Sequence, residues 1–329
     1  MEFTPEVRIA TDPIYQKISK VMPEIEWSVH APYIHRINQL KKEKNAIILA
    51  HNYQTPEIYH GVSDFSADSL ALAVEAAKTK ADIIVMCGVH FMAETAKLMS
   101  PEKKILLPDM SAGCSLSSSI TGEDVRNLKK KYPGVPVVSY VNTSAEVKAE
   151  TDVCCTSANA VKIVQSLGVK KVIFLPDDFL AKYVASQTDV EIIPWKGTCE
   201  VHEQFNDEEI NEIRKSNPGI KIIAHPECPP DVIRASDFAG STSGMIKYVK
   251  DNQPEKVMMV TECSMSDNVQ IDNPNVKFVR PCNLCPHMKK ITLPKILDCL
   301  ENETNEIIMD NETIEKARKS VERMTEIGR

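Results

Sequence analysis

Ten cysteines occur in the 329 residues, and three of them, Cys114, Cys199 and Cys285, stand at nearly equal intervals. Three thiolates brought to one point make a soft donor set suited to an iron–sulfur cluster, zinc or copper(I). A [4Fe–4S] cluster ordinarily takes four cysteines. With three, one iron keeps an open position for water or a substrate oxygen, and the cluster acts as a Lewis acid. Zinc with three thiolates and a water is the rival. Cys282 and Cys285 form a CxxC pair, which alone could be a redox pair or half of a zinc ribbon, but no second CxxC follows. Cys285 shares the phase of the other two and is chosen over Cys282. Cys87, Cys154, Cys155, Cys228, Cys263 and Cys299 are expected to be structural, with Cys154 and Cys155 in the core or around the site and Cys228 beside it.

A second group of polar residues recurs in the same phase. Three apolar runs end in His51 and Tyr53, in Tyr140 and Asn142, and in His225 and Glu227. Any one of these could be a satisfied buried polar group. As a set, His and Glu can move protons, while Tyr and Asn offer neutral hydrogen bonds to carboxylate or carbonyl oxygens. Small hydroxyl residues follow each run at Asp68-Ser69, Thr156-Ser157 and Ser241-Thr242. Their default role is helix capping. Three helix N-termini facing one axis would also suit a small polyanion.

The elements needed to position these residues read as a threefold repeat. Each repeat opens with a strand (46–53, 135–142, 220–227). A loop and a helix starting at the hydroxyl residues follow. A second strand (81–87, 170–176, 255–261), a third strand (103–109, 190–196, 276–282) and then the cysteine complete it. Ser63-Asp64-Phe65 and Ser236-Asp237-Phe238 precede two of the helix starts. Leu70, Ala73, Val74 and Ala77 fall on one face of the first helix. Short apolar runs alternating with helices predict parallel sheets, whose ligands bind beyond the carboxyl ends of the strands. The fold class is α/β: three Rossmann-like three-layer units related by pseudo-threefold symmetry around a central active site. The expected division is an N-terminal helical segment 1–40, units at 41–119, 120–203 and 204–289, and a C-terminal helical tail 290–329. In the tail, Ile314, Ala317, Val321 and Met324 form a packing stripe that Thr313 or Asn311 could cap.

Composition agrees. Hydrophobic residues make up 43% and aromatics only 5%, a mix that suits α/β layers. The net charge of −7 offers no basic footprint for nucleic acid. No basic stretch followed by an apolar run opens the chain and no apolar run spans a bilayer, so a cytoplasmic protein without a membrane partner is expected. Cysteines in that compartment serve as ligands, nucleophiles or core residues in preference to disulfides.

The stretches AHNYQTPEI, CGVHFMAETAKLMSP, LLPDMSAGCSLSSS, YVNTSAEVKAETDVCCTSANA, WKGTCEVHEQF, AHPECP, DFAGSTSGM and CNLCPHM resemble quinolinate synthase. The resemblance covers roughly residues 45–290. It implies an enzyme that condenses iminoaspartate (iminosuccinate) with dihydroxyacetone phosphate to quinolinate, phosphate and water in NAD biosynthesis. It also implies a functional link to L-aspartate oxidase. It places a [4Fe–4S] cluster with one open iron on Cys114, Cys199 and Cys285. It assigns substrate contacts to His51, Tyr53, Ser69, Tyr140, Asn142, Ser157, His225, Glu227 and Thr242, with Ser241 beside them. Glu227 is the expected general acid/base, with His51, His225 and Tyr140 assisting. Other readings are a different cluster-dependent dehydratase, or a zinc- or phosphate-binding protein without catalysis. Two positions depart from the family: Ala67 replaces the usual Gly of Gly-Asp-Ser, and Val279 replaces the first Cys that some members carry in a CxxCxxC run.

Overall fold

The computed structural model describes residues 1–280 and 282–328. It contains three parallel four-stranded sheets with one common strand order. The first is built from β1 (Ala46–His51), β2 (Phe65–Ala67), β3 (Ile83–Cys87) and β4 (Lys104–Leu106), in the order β2-β1-β3-β4. The second holds β5 (Val137–Tyr140), β6 (Val153–Cys155), β7 (Lys171–Leu175) and β8 (Glu191–Pro194), ordered β6-β5-β7-β8. The third holds β9 (Lys221–Ala224), β10 (Phe238–Ala239), β11 (Lys256–Val260) and β12 (Lys277–Val279), ordered β10-β9-β11-β12. The central strands are buried on both faces, as continuous Ile/Val/Leu runs in parallel sheets require.

Each repeat contains one strand more than expected. What reads as a loop before the helix holds a short helix (Pro56–Tyr59, Ala145–Ala149, Pro230–Ala235) and then a two- or three-residue edge strand. An aspartate locks that edge strand in place. Asp64, Asp152 and Asp237 accept from the backbone N–H of Ile48, Val137 and Ile222 at 2.8, 2.7 and 2.9 Å. Their own N–H groups return bonds to the carbonyls of the same three residues. Ile48, Val137 and Ile222 occupy equivalent register positions. His51, Tyr140 and His225 are therefore equivalent, as are Tyr53, Asn142 and Glu227. Ala67 ends β2 as extended strand and accepts from Asn52 N–H at 3.1 Å, so the position does not need glycine.

Four sequence expectations are corrected in detail. The second crossover helix begins at Ala160, not at Thr156-Ser157, because the Asn159 side chain takes the Thr156 N–H at 2.8 Å and forms a turn. The caps of the other two helices are Asp68 and Ser241, which accept from Ala71 and Gly244 N–H; Ser69 and Thr242 are first helical residues. The tail helix Asn311–Ile327 is capped by Asp310, accepting from Thr313 N–H, and not by Thr313 or Asn311. Ile314, Ala317, Val321 and Met324 are buried as expected. The third strand expected at 276–282 is observed only over Lys277–Val279, and Pro281 lies outside the described residues.

The chain forms two compact units. The first comprises Met1–Ala112, Cys263–Pro274 and Leu284–Ile307; the second comprises Gly113–Glu262, Asn275–Asn283 and Ile308–Arg329. The first unit carries the first sheet, with helix Leu293–Asn302 packed on helix Glu24–Glu43. In the second unit, the tail helix packs on helix Ala145–Ala149 and on β6. Its core gathers Val125, Val137, Val147, Ile173 and Leu175 under one sheet, and Ile210, Ile222, Val232, Met258 and Val260 under the other. No helix among the described residues is long and apolar enough to cross a membrane.

Candidate functional site

In the second unit, the ends of β5 and β9 bring Tyr140 and Glu227 into contact. The Tyr140 hydroxyl donates to Glu227 Oε1 at 2.5 Å. Glu227 Oε2 lies 2.8 Å from His202 Nδ1 and 3.9 Å from His225 Nδ1. All four residues are buried. Burial pushes the Glu227 carboxyl up, but His225, His202 and the hydrogen bonds from His202 and Tyr140 outweigh it and hold the group below the usual carboxylate range. An ionised Glu227 requires the His202 proton on Nδ1, and Nε2 then faces Thr261 Oγ1 at 3.0 Å.

The two strand-end histidines share one device. Nδ1 of His225 accepts from Glu227 N–H at 3.4 Å, and Nδ1 of His51 accepts from Tyr53 N–H at 3.3 Å. Each neutral ring therefore carries its proton on Nε2. His225 Nε2 lies 3.1 Å from Ser157 Oγ, and its ring stacks on His202 with centroids 4.9 Å apart. Asn142 follows Tyr140 by two residues. Its Oδ1 is buried without a partner, as expected of an acceptor that meets its donor on a ligand.

Cys199 adjoins this group, with its Sγ 3.1 Å from His202 Nδ1. Gly197 allows its loop to lie against the end of β7, since a Cβ there would stand 2.5 Å from the Pro176 carbonyl. Gly197 N–H donates to Pro176 O at 3.0 Å, and Asp178 N–H donates to Gly197 O at 2.8 Å. Ser115 ties Cys114 to the same loop: its hydroxyl donates to Thr198 O and accepts from Glu200 N–H, each at 3.1 Å. The two thiols thus share a neighbourhood. Burial pushes the Cys199 thiol up, and the Glu227 and Cys114 charges push it further. Negative charge accumulated on two sulfurs and a carboxylate is stabilised by a bound cation, which would lower these thiol pKa values. The donor set therefore fits a thiolate-bound metal centre. Cys199, His202 and Glu227 also place donor atoms within 4.8 Å of one another.

Ser241 and Thr242 begin the helix after β10 and are buried. The remaining expected residues belong to the first unit. His51 and Tyr53 meet edge-on with centroids 4.6 Å apart, and Ser69 opens the helix after β2. Asn268 donates to the carbonyls of Asn52 and Gln54 at 3.3 and 2.8 Å. Lys289 donates to Tyr53 O at 2.8 Å and Ser264 Oγ at 2.7 Å, while its N–H donates to Cys285 O at 3.1 Å. Cys285 is partly exposed and Cys282 is exposed. Cys87, Cys154, Cys155, Cys228, Cys263 and Cys299 are buried. Burial pushes the Cys87, Cys154, Cys155 and Cys228 thiols up, and Cys299 up to about 12, which keeps them inert.

Sequence reasoning missed His202 and Asp177. His202 lies inside the quoted stretch WKGTCEVHEQF, three residues after Cys199, and that spacing was its one signal. Asp177 caps helix Asp178–Ala185 through Oδ1, which accepts from Phe179 and Leu180 N–H at 2.8 and 2.9 Å. Its Oδ2 is buried without a partner. Burial first, and then the Glu227 charge, push its carboxyl well above the ordinary value.

The sequence profile described as Quinolinate synthetase A protein matches residues 35–326. A quinolinate synthase of Sinorhizobium fredii is 59% identical over 327 residues, covering 99% of this chain and 91% of that protein. Those of Caulobacter vibrioides and Agrobacterium fabrum are 57% and 55% identical, over 99% of this chain and 90% and 94% of theirs. A match that runs through all three sheets and takes in the Tyr140–Glu227–His202 group and all three phased cysteines makes this chain a member of the quinolinate synthase family.

Proposed function

We infer that the chain condenses iminoaspartate with dihydroxyacetone phosphate and releases quinolinate, phosphate and water. L-aspartate oxidase supplies the imine, and the reaction takes place in the cytoplasm. Cys114, Cys199 and Cys285 would hold a [4Fe–4S] cluster with one open iron. When bound, that centre supplies Lewis acidity to an oxygen that must leave as water.

The chain's own residues do the remaining work. His51 and His225, with Nε2–H directed away from their backbone bonds, orient carboxylate oxygens. Asn142 Oδ1 accepts a hydrogen bond from a substrate N–H or O–H. Ser69, Ser157, Ser241 and Thr242 offer hydroxyls at the starts of helices or turns for the substrate's carboxylate or phosphate oxygens. Tyr53 closes against His51.

Glu227 is the proton acceptor. Being held ionised, it is a resting base, and it passes on the proton it takes up by way of the Tyr140 hydroxyl, while His202 Nδ1–H supports the charged form. The observation that carries this reading is the buried carboxylate joined to Tyr140 and His202 beside Cys199, in a chain of this family. Glu227→Gln keeps the shape and removes the base. Turnover should fall by about 10²–10⁴-fold, while the brown colour and the iron and sulfide content stay at the wild-type level. Full activity in that variant would overturn the role.

The trio Cys199, His202 and Glu227 also suits a single zinc ion, the second reading. Colourless protein with stoichiometric zinc after anaerobic purification would select it.

A further inference from the structure

Lys148 is a fully buried lysine in helix Ala145–Ala149. A buried ammonium is costly unless hydrogen bonds replace its lost water. Lys148 Nζ donates to Val141 O at 2.9 Å and to Thr143 O. These carbonyls flank Asn142 on either side. The carbonyl of Tyr140, one residue earlier, accepts from the Ser139 and Thr143 hydroxyls at 3.1 and 3.2 Å. The turn that aims Tyr140 and Asn142 is thus held from behind by polar side chains, with the ammonium at its centre.

The lysine is itself anchored. Ser320 of the tail helix donates to Lys148 O at 3.0 Å. The first unit holds the register-equivalent carbonyls, those of Asn52 and Gln54, in the same way: the Asn268 side chain donates to them at 3.3 and 2.8 Å. Two side chains from unrelated chain positions, Lys148 and Asn268, each bridge the same pair of strand-end carbonyls, which points to a positional requirement of the site.

We propose that Lys148 is a positioning residue for substrate selection: its ammonium holds the 141–143 turn so that Asn142 Oδ1 is presented to the substrate. This rests on the assignment of Asn142 to the substrate site. Lys148 never touches the substrate, so its effect passes through Asn142.

The test is a double-mutant cycle on the cluster-loaded enzyme, with kcat, KM, iron content and thermal midpoint measured for Lys148→Met, Asn142→Ala and the pair. Lys148→Met should lower kcat/KM about ten-fold or more at unchanged iron content, mainly through KM. In the Asn142→Ala background the same change should cost less than about two-fold, because interacting residues are non-additive. If Lys148→Met does not yield folded protein, Lys148→Gln, which retains one donor, takes its place with the same expected non-additivity.

Losses that simply multiply, or wild-type kcat/KM in the lysine variant, would overturn the proposal and leave Asn142 in the site. A harmless Asn142→Ala would overturn both. A lowered thermal midpoint with multiplying losses would mark Lys148 as structural only.

Discussion

Replacing Tyr140 by Phe removes one oxygen and nothing else from the strand end. That oxygen is one of two close donors to Glu227, at 2.5 Å, and both residues are almost wholly shielded from water. A hydrogen bond to a buried charge contributes roughly 1.5–3 kcal/mol. If Tyr140 supports the charged carboxylate and carries its proton, that energy is lost from the transition state. The rate then falls by about 10- to 150-fold in kcat/KM. Burial, no longer opposed by the hydroxyl, also drives the carboxyl up toward its neutral form. The assay is quinolinate formation from iminoaspartate and dihydroxyacetone phosphate with anaerobically loaded enzyme, normalised to iron. His202 remains as a donor at 2.8 Å, so the loss should be smaller than that of Glu227→Gln. A Tyr140→Phe enzyme within two-fold of wild type at equal iron content would refute the argument that the Tyr140–Glu227 bond is used in the reaction.

Two further outcomes are expected. Asp237→Ala leaves Ile222 N–H without its acceptor and removes the pair with Arg214 at 3.0 Å, which should destabilise the protein by about 1–3 kcal/mol in denaturant titration. Burial pushes Asp237 up, but Ile222 N–H, Arg214 and Lys221 outweigh it and hold the carboxyl below its ordinary value. The wild-type advantage is therefore present above about pH 4 and shrinks as pH falls through the folded-state value, whereas a constant gap down to strong acid would contradict this account. Cys282→Ser should keep full iron and sulfide content, whereas serine at Cys114, Cys199 or Cys285 should lose it. Loss of the cluster in the Cys282 variant would reassign the ligand.

The repeat was legible because three cues recurred in one phase: apolar runs, polar strand ends and cysteines. Inward-facing Ile and Val in Ala46–His51, Val137–Tyr140 and Lys221–Ala224 state a buried parallel strand directly. The edge strands β2, β6 and β10 were not legible. At two or three residues they carry no periodicity, and their pairing is imposed by the aspartate clamps. Thr156-Ser157 looked like a helix start, but Asn159 competes for the Thr156 N–H, a contest that composition does not reveal.

The same limit explains the missed site residues. His202 acquires meaning from Glu227, 25 residues on, and from Thr261. Lys148 reads as a surface helix residue until Val141 and Thr143 are seen folded back onto it. Local spacing marks the residues that point into the site, while the groups behind them become visible only once distant segments meet.

The first unit is assembled from three stretches of chain, and this has a consequence for synthesis. The turn carrying His51 and Tyr53 has its carbonyls held by Asn268 and Lys289. Those partners leave the ribosome more than two hundred residues after the turn itself. A nascent chain can pair β1 with β3 early, but the turn after His51 stays unbraced until translation is almost complete. Truncation anywhere before residue 289 would leave a sheet with an unfinished rim.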